Sequence, residues 1–577
     1  MDPLRPTDSP VIASEVVEYV QAAAGSERYA VYLQELLTEL VSINTAPSAD
    51  LADTAVRERA FFDRIDREIR SLTGGEAVCE RPVIGPAIAA DPAYSPPSYA
   101  ADAHGRVPPA DRVYAGRTNF VALINGQGGA REPAAILHAH ADTVSPWFGP
   151  RADGPRVFGR GACDNKSQIA ILLALLKLLG EVADRTGRRP ARGFVLQLTL
   201  DEEIGGNGSI AMAGDRRFAA LPVLMLDATD LVPYCAHRGA VYYRCRMSAS
   251  SHPRTTPMEV FPFVVLELEA EGRLLKQETN CPLFTADHVQ TNHGVFGPFG
   301  RHPGSVCDHV AFEIGFESAA NARQIQHQIA ESLAVALDEY VSRYGDKQRE
   351  KDPATGRPKV ARHFDIRIRD LTDPRSFRLD VWGKSGHMAA VGACDNAITK
   401  AAYLLAGVLR VFRAFPDARI DLRLADSHDG GSHRDIVLEG GQGFTPTHTM
   451  AEVQARLARA TRRGAINYCR VRQVPFEESM IRMTFDRLHN DAYGDSPDSA
   501  PMQALRAAFE ALGQPWPAPV AWQTSCDARI YHQRGHPVAI FGAGKLETAH
   551  SDSEYVDIPD VQKALAVVTL ATWVLTG

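Results

Sequence analysis

The sequence predicts an α/β protein whose sheet is largely buried. Short apolar runs of strand type alternate with a segment that carries apolar residues at helical spacing. In chain order we expect two strands, a helix and two more strands, at Phe120–Ile124, Ala134–Leu137, Lys166–Leu179, Gly193–Leu200 and Val223–Leu226. This order favours an α/β layer, because strands without polar alternation must be covered on both faces.

The same alternation returns near the C-terminus. A helix is expected at Ala504–Leu512, a buried strand at Pro537–Phe541 and a closing helix at Pro559–Leu575. We therefore expect both ends of the chain to build one α/β domain. The stretch Pro82–Arg112 is rich in Pro, Ala, Asp and Tyr, which predicts an irregular surface segment.

Charge and cysteine content exclude several classes of protein. The 577 residues include 62 Lys+Arg against 70 Asp+Glu, for a net charge of −8. Nucleic acids and anionic membranes require clustered positive charge, so we expect neither as a partner. Nine cysteines without a C-x-x-C pair indicate reduced thiols. With no basic stretch and apolar core near Met1, we expect a soluble, cytoplasmic protein.

The first residues that carry chemistry follow a predicted strand. His140 and Asp142 come directly after Ala134–Leu137. In an extended segment residues two apart share a face, so Asp142 can accept the ring N–H of His140 and fix its tautomer for a metal. A structural histidine explains this motif alone equally well. Asp164 follows two glycines just before a helix, where a sharp turn leaves its oxygens free, and a helix cap is the alternative.

Further acids follow other predicted strands. Asp201, Glu202 and Glu203 are adjacent, and buried carboxylates this close repel one another unless they share a cation or a proton. A solvated acidic turn is the alternative. Asp227 follows another apolar run, and His550 lies in the segment after the last predicted strand. A surface loop is the alternative for each of these two.

Taken together, the motifs indicate a metal site. Four of the five follow a predicted strand at its carboxyl end, where open α/β sheets form their binding crevice. Carboxylates with imidazole and no thiolate suit zinc, manganese or cobalt. A chance cluster of surface loops is a poor explanation for the whole set.

In this order the motifs resemble metallopeptidase family twenty, the group of carboxypeptidase G, succinyl-diaminopimelate desuccinylase, carnosinase and the aminoacylases. The resemblance runs from about Phe120 to Glu554, with patches only in its middle. It implies a zinc-peptidase-like catalytic domain with a mixed, mostly parallel sheet, an inserted α+β lid or dimerisation domain, and a homodimer.

The resemblance also implies a ligand set. Two divalent metals, zinc first and manganese or cobalt as alternatives, would be bridged by Asp164. One metal would also be held by His140 and Asp227, and the other by Glu203 and His550.

The catalytic roles follow from the same resemblance. Glu202 would be general base and then acid for a metal-bridging hydroxide, and Asp142 would orient the first histidine ligand. His387 matches the family's Gly-x-x-Gly-His segment and would stabilise the oxyanion. Asn396 would position substrate, with a plain helix N-terminal residue as the alternative. Arg529 would clamp a substrate carboxylate, with a structural ion pair as the alternative.

The domain boundaries follow from the same comparison. We expect the catalytic domain at 1–240 and 489–577 and the lid at 241–488. His237 and His387 are further apart than in the family, which predicts an insertion at about 248–375. Within it we expect a strand at Val264–Glu269 and a helix at Ala320–Tyr344.

The expected function is metal-dependent hydrolysis of the amide bond of a peptide or N-acyl amino acid that bears a free carboxylate. Carboxypeptidase, dipeptidase and aminoacylase activities fall in this class. One alternative is hydrolysis of a carbamoyl, succinyl or other non-peptide amide on the same metal pair. The other is a non-catalytic binding protein that uses the insertion as its surface. Residues around the metals cannot separate the two hydrolases, because specificity lies in the lid and the insertion.

Overall fold

The computed structural model of the protein describes residues 12–102, 106–251, 255–296, 304–317, 321–352, 356–370, 373–415, 418–425, 435–485 and 488–577. The chain folds as two units. The first consists of Met1–His237 with Leu488–Gly577, and the second is Arg238–Arg487. These limits lie within a few residues of the expected boundaries at 240/241 and 488/489.

The first part of the first unit holds six helices and eight strands among the described residues. They are α1 Ser14–Ala24, α2 Glu27–Ser42, α3 Leu51–Leu72, β1 Val78–Glu80, α4 Ala110–Val113, β2 Phe120–Ile124, β3 Pro133–His140, β4 Arg151–Asp153, β5 Arg156–Phe158, α5 Lys166–Thr186, β6 Gly193–Thr199, α6 Asn207–Ala213, β7 Val223–Met225 and β8 Ala236–His237.

The second unit follows without a break. Its described elements are β9 Gly239–Ser248, α7 Pro257–Glu278, β10 Thr291–Phe296, β11 Ser305–Val306, β12 His309–Phe316, α8 Ala322–Tyr344, β13 Phe364–Asp370, β14 Asp373–Trp382, β15 Gly386–His387, α9 Ala397–Val411, β16 Ile420–Leu424, β17 Asp435–Phe444, α10 Met450–Arg472 and β18 Ile481–Thr484.

The chain then returns to the first unit. The elements there are β19 His489–Asn490, β20 Tyr493–Gly494, α11 Ala500–Ala511, α12 Ala528–Gln533, β21 Val538–Ile540, β22 Tyr555–Asp557 and α13 Ile558–Thr576.

The main sheet of the first unit has six strands in the order β1-β2-β6-β3-β7-β21. The pairs β6/β3, β3/β7 and β7/β21 are parallel, whereas β1/β2 and β2/β6 are antiparallel. All seven residues of β6 are buried, as a strand covered on both faces requires. The predicted mixed, mostly parallel sheet and the inserted α+β unit are confirmed. Since four neighbouring strands run the same way, their carboxyl ends meet at one edge.

The closing helix α13 belongs to the core of the first unit. It packs against α5, α11 and β3. Among the described residues it is the one helix long and apolar enough to cross a membrane, with a mean hydropathy of 1.3, and 67% of its apolar window is buried. A core helix passes the same test of length and composition, and the burial of α13 is that of a core helix.

The second unit contains two modules of the same topology. In one, the elements are β9, α7, β10, β17, α10 and β18, and its strands follow the antiparallel path β10-β17-β9-β18. In the other, β12, α8, β13, β14, α9 and β16 form a sheet in the order β13-β14-β12-β16. Numbered within its own module, each sheet reads 4-1-3-2, the split βαβ arrangement. The second module lies, in sequence, between β10 and β17 of the first.

The structure places the insertion at residues that differ from those expected from the sequence. We expected extra residues at about 248–375, whereas the inserted module runs from β12 to β16, at 309–424. The segment that holds α7 and β10 is part of the outer module, and His387 belongs to the inserted stretch. Extra length is visible in a sequence, but only the pairing of strands shows which ones form a separate sheet.

Two local predictions need correction. The strand expected at Val264–Glu269 is wrong, because this segment lies inside α7, whose buried face carries apolar residues at helical spacing, among them Phe261 and Leu268. The stretch Pro82–Arg112 is not all at the surface. Ser95 is fully buried and exchanges two backbone–amide hydrogen bonds with Asn207, at 3.1 and 2.8 Å. The helix expected at Ala320–Tyr344 is confirmed as α8, which begins at Ala322.

Candidate metal centre

The five residues expected to bind metal form two groups that share one carboxylate. The first group is His140, Asp164 and Asp227, and the second is Asp164, Glu203 and His550. Within each group one ligand atom per residue lies within 4.8 Å of the others. Oδ1 of Asp164 is 2.9 Å from Nε2 of His140, and Oδ2 is 3.2 Å from Nε2 of His550. Each oxygen of the shared carboxylate therefore faces a different histidine, as a ligand shared by two ions requires.

The edge of the main sheet explains why distant residues meet here. His140 is the last residue of β3, and Glu203, Asp227 and His550 come after β6, β7 and β21. These four strands are parallel neighbours, so the segments that leave them converge on one side of the sheet. Asp164 reaches the same place from the turn before α5.

Asp142 contacts both the histidine and the acidic turn. The backbone carbonyl of Asp142 lies 3.1 Å from Nδ1 of His140, and its Oδ1 lies 3.5 Å from the same nitrogen. Its two carboxylate oxygens also accept the backbone N–H groups of Glu202 and Glu203, each at 3.2 Å. The residue expected to orient a ligand thus also holds the backbone of the next two functional residues. Sequence reasoning missed this second contact, because it depends on β3 and β6 being neighbours.

Glu202 lies beside the ligands. Its Oε2 is 3.9 Å from Nε2 of His140, and its side chain is 14% exposed. Burial raises the pKa of Glu202 well above its usual range, and nearby carboxylates add to this while His140 opposes it. A buried carboxyl group with a high pKa is suited to accept and then release a proton.

The chemistry of the donors fits divalent cations. Burial, reinforced by the charge of Asp164, raises the pKa of Asp227 to about 8. Oε1 of Glu203 is buried and has no hydrogen-bond partner among the described residues. Several acids crowded into a buried site are costly unless positive charge compensates them. Carboxylate oxygen and imidazole nitrogen are ligands that zinc and similar metals accept, so the site could hold two such ions.

Glu554 holds the turn that presents Asp164. Its Oε1 accepts the backbone N–H groups of Gly161, Cys163 and Asp164 at 2.9, 3.0 and 3.1 Å. Its Oε2 pairs with Arg160 at 2.7 Å, and neither side chain is more than 1% exposed. Sequence reasoning assigned Glu554 no role. Its position four residues after His550 was the one available signal.

Arg529 is engaged within the first unit. The guanidinium is buried and donates to the carbonyl of Gly205 at 2.9 Å and to Oδ1 of Asn490 at 3.1 Å. Through the first contact it supports the turn that follows Glu203. This is closer to the structural alternative than to a free clamp for a substrate carboxylate.

Asn396 has the structural role that the sequence left open. Its Oδ1 accepts the backbone N–H groups of Ile398 and Thr399, both at 3.0 Å, which makes it the N-cap of α9. Its Nδ2 donates to Oδ1 of Asn292 and to the carbonyl of His293, at 3.0 and 2.8 Å. The oxygen and nitrogen of the Asn396 amide are both engaged in these four hydrogen bonds, so the structure gives no support for a contact between Asn396 and substrate.

His387 can be placed only through its backbone. It lies in β15 and pairs with Ser305 of β11. Its side chain lies outside the described part of the structure, so its expected role as oxyanion stabiliser stays a prediction.

The fold and the two ligand groups define the class of protein: an α/β protein with a histidine–carboxylate site suited to a pair of metals. The particular family follows from comparison with known proteins. The model of Peptidase family M20/M25/M40 matches residues 136–573. The chain belongs to this family, and the resemblance stated from the motifs is confirmed.

Two curated relatives match over shorter stretches. A Peptidase M20 domain-containing protein of Schizosaccharomyces pombe is 33% identical over 98 residues, which are 17% of this chain and 22% of the relative. The acetylornithine deacetylase of Photorhabdus laumondii is 27% identical over 201 residues, or 31% of this chain and 48% of the relative. The chain therefore matches less than half the length of either protein.

Two solved structures share the fold over nearly their whole length. The di-peptidase Dug1p of Saccharomyces cerevisiae has a TM-score of 0.54 at 12% identity, with 98% of this chain and 99% of that chain covered. Human carnosine dipeptidase 1 has a TM-score of 0.52 at 11% identity, with 97% and 99% covered. At these identities the likeness shows the fold alone.

Proposed function

We propose that the protein is a metal-dependent hydrolase that cleaves the amide bond of a peptide or N-acyl amino acid bearing a free carboxylate. One observation carries the proposal. The two ligand groups share Asp164, and Glu202 lies beside them with Oε2 3.9 Å from Nε2 of His140. A ligand set without an acid or base at this position would favour a binding protein.

We assign metal binding and proton transfer to different residues of the site. His140 and Asp227 would hold one ion and Glu203 and His550 the other, with Asp164 between them, and we propose zinc as the metal. When bound, such ions polarise a carbonyl group and lower the pKa of water. Glu202 accepts the proton of the attacking water and returns it to the leaving nitrogen.

The relatives support a small substrate with an amide bond. Two of them are named as dipeptidases and one as an acetylornithine deacetylase. The deacetylase match favours N-acyl amino acids as a second substrate class beside dipeptides. Carbamoyl and succinyl amides remain the alternative, because the metal ligands are compatible with each of these acyl groups.

Two further proposals concern assembly and location. A homodimer rests on the family resemblance alone. A cytoplasmic location is supported by nine free cysteines, which a reducing compartment maintains.

The test is amine release by zinc- or manganese-loaded protein across dipeptides and N-acylated amino acids. Glu202→Gln should lower turnover by at least ~10²-fold, because it removes the proton acceptor, while two metals stay bound. Glu547→Gln, a change at an exposed carboxylate of the same unit, is the matched control. Equal turnover in wild type and Glu202→Gln would remove Glu202 from the reaction. No amine release in protein that holds two metals would favour an unusual amide substrate selected by the insertion, whereas no release and no bound metal would favour the non-catalytic alternative.

A further inference from the structure

A second cluster of charged side chains lies directly behind the acidic turn. Asp201, the residue before Glu202, is completely buried. Its Oδ2 accepts the hydroxyl of Tyr114 at 2.7 Å, and its Oδ1 accepts Nη2 of Arg117 at 2.8 Å. The hydroxyl of Tyr99 donates to the same carboxylate at 3.2 Å. Asp201 therefore has three side-chain donors, none of which belongs to the metal ligands.

Arg117 joins this carboxylate to a helix on the far side. Its Nε and Nη2 donate to the two oxygens of Glu58, in α3, at 2.8 and 2.7 Å. The side chains of Arg117 and Glu58 are 0% and 3% exposed. The guanidinium of Arg117 thus lies between two carboxylates. The hydroxyls of Tyr99 and Tyr114 donate hydrogen bonds to the carboxylate of Asp201, which compensates the excess negative charge. Buried charges with this many partners are held in one geometry.

The backbone of the turn needs such support. Asp201 has a φ of 63°, which a residue with a side chain rarely adopts, and Gly205 and Gly206 have φ values of 114° and 79°. A left-handed residue other than glycine is strained and persists where surrounding contacts determine it. This conformation turns the chain as it leaves β6, and Glu202 and Glu203 follow immediately.

We propose that Arg117, Tyr114 and Tyr99, with Glu58 behind them, form a positioning network for the catalytic turn. These four residues and Asp201 are the Asp201 network. The network sets where Glu202 and Glu203 lie. It therefore controls turnover, and also metal occupancy of the site that contains Glu203, without touching substrate. The inference deepens the proposed function and rests on it.

The main test is Tyr114→Phe, which keeps the ring but removes one donor to Asp201 and the hydroxyl that accepts Nδ2 of Asn207 at 2.7 Å. A small displacement of a reacting group can cost up to ~10²-fold, so we expect turnover to fall at least ~10-fold with KM within ~2-fold. Hydrogen exchange of residues 200–206 should become faster, and the zinc affinity of the site that contains Glu203 should fall.

The matched control is Tyr32→Phe. Tyr32 is also a tyrosine of the first unit whose hydroxyl donates to a carboxylate, that of Glu68 at 2.9 Å. The Tyr32→Phe variant should lower the thermal midpoint about as much as Tyr114→Phe does. It should leave turnover, and hydrogen exchange of residues 200–206, unchanged. Equal turnover and equal exchange in the two variants would overturn the proposal. If no substrate is found even for wild type, the proposed function fails, but exchange and zinc affinity still decide the role of the network.

A second test uses the space beside Arg117. Arg117 and Glu58 border a cavity of about 340 Å³ that Phe62 and Arg81 also line. Arg117→Ala should lose turnover, and ethylguanidinium should restore part of it by occupying the vacated position between Glu58 and Asp201. Arg117→Lys keeps the charge but loses the forked geometry, and should remain impaired. Full activity in Arg117→Lys would show that charge alone suffices and would overturn the geometric part of the proposal.

Discussion

The carboxylate of Asp142 accepts the backbone N–H of Glu202 at 3.2 Å. This contact links the end of β3, where His140 lies, to the turn after β6, where Glu202 lies. The contact to His140 at 3.5 Å comes from the same carboxylate. Asp142 therefore affects metal binding and proton transfer together.

The variant Asp142→Ala tests whether Asp142 affects both the histidine ligand and the acidic turn, or the histidine alone. Loss of a residue that orients a metal ligand typically costs ~10- to 100-fold in metal affinity or activity, and here we expect both to fall. Metal competition titration and turnover measure the two effects. Asp153→Ala, at a side chain that is 67% exposed, is the control. Normal turnover with weakened metal binding would show that the contact to the acidic turn is dispensable.

The variant Glu554→Gln tests the support of the bridging ligand. Removing one partner of a buried ion pair costs about 3–5 kcal/mol, because Arg160 would remain buried without its counter-charge. We expect a lower thermal midpoint and faster hydrogen exchange at residues 161–164. Asp560→Asn breaks the more exposed pair with Lys563 and should change the midpoint little. Similar midpoints for the two variants would contradict the importance of the Glu554–Arg160 pair.

The stability of metal-free protein should depend on pH through the ligands. Burial and the charge of Asp164 raise the pKa of Asp227 to about 8. A carboxyl group whose pKa is raised on folding stabilises the fold most at low pH and loses that contribution as pH rises through the folded value. We expect the thermal midpoint of metal-free protein to fall between pH 6 and pH 9.

Adding zinc should reverse this trend, because the ions bind the ionised carboxylates and neutralise them. The gain in thermal midpoint on adding zinc should therefore be larger at pH 8.5 than at pH 6. Asp227→Asn, which cannot ionise, should show a flatter pH profile when metal-free. A gain that does not vary with pH would contradict the assignment of Asp227 as a ligand.

His387→Ala tests the residue expected to stabilise the oxyanion, whose side chain lies outside the described part of the structure. If His387 stabilises the oxyanion, turnover should fall by about 10²- to 10³-fold, with little loss of metal. Turnover by a mixture of the His387→Ala and Glu202→Gln proteins tests whether sites are shared between subunits of the proposed dimer. Recovered activity would show that His387 acts in a partner's site, whereas an inactive mixture would favour action within one chain.

The candidate metal ligands could be predicted because each belongs to a local motif and the order of these motifs resembles a known family. His140, Glu203 and Asp227 follow apolar runs, and the end of a strand in an open α/β sheet is a place that sequence can locate. The Asp201 network could not be predicted in this way. Glu58, Tyr99 and Arg117 come from a long helix, a short 3-10 helix and the loop before β2, and no periodicity links them. Tyr99 even lies in the segment expected at the surface.

By itself the sequence determined the class of fold and the candidate acids at the strand ends, because apolar spacing and the acids that follow each strand are local properties of the chain. The order of the motifs added the family resemblance, which implied the ligand set. Only the tertiary structure decided which strands form the nested second sheet and which charges support the turn that carries Glu202 and Glu203. These features depend on hydrogen bonds between residues far apart in the chain, such as Asp201 with Arg117. Such bonds exist only after the sheet has brought its strand ends together.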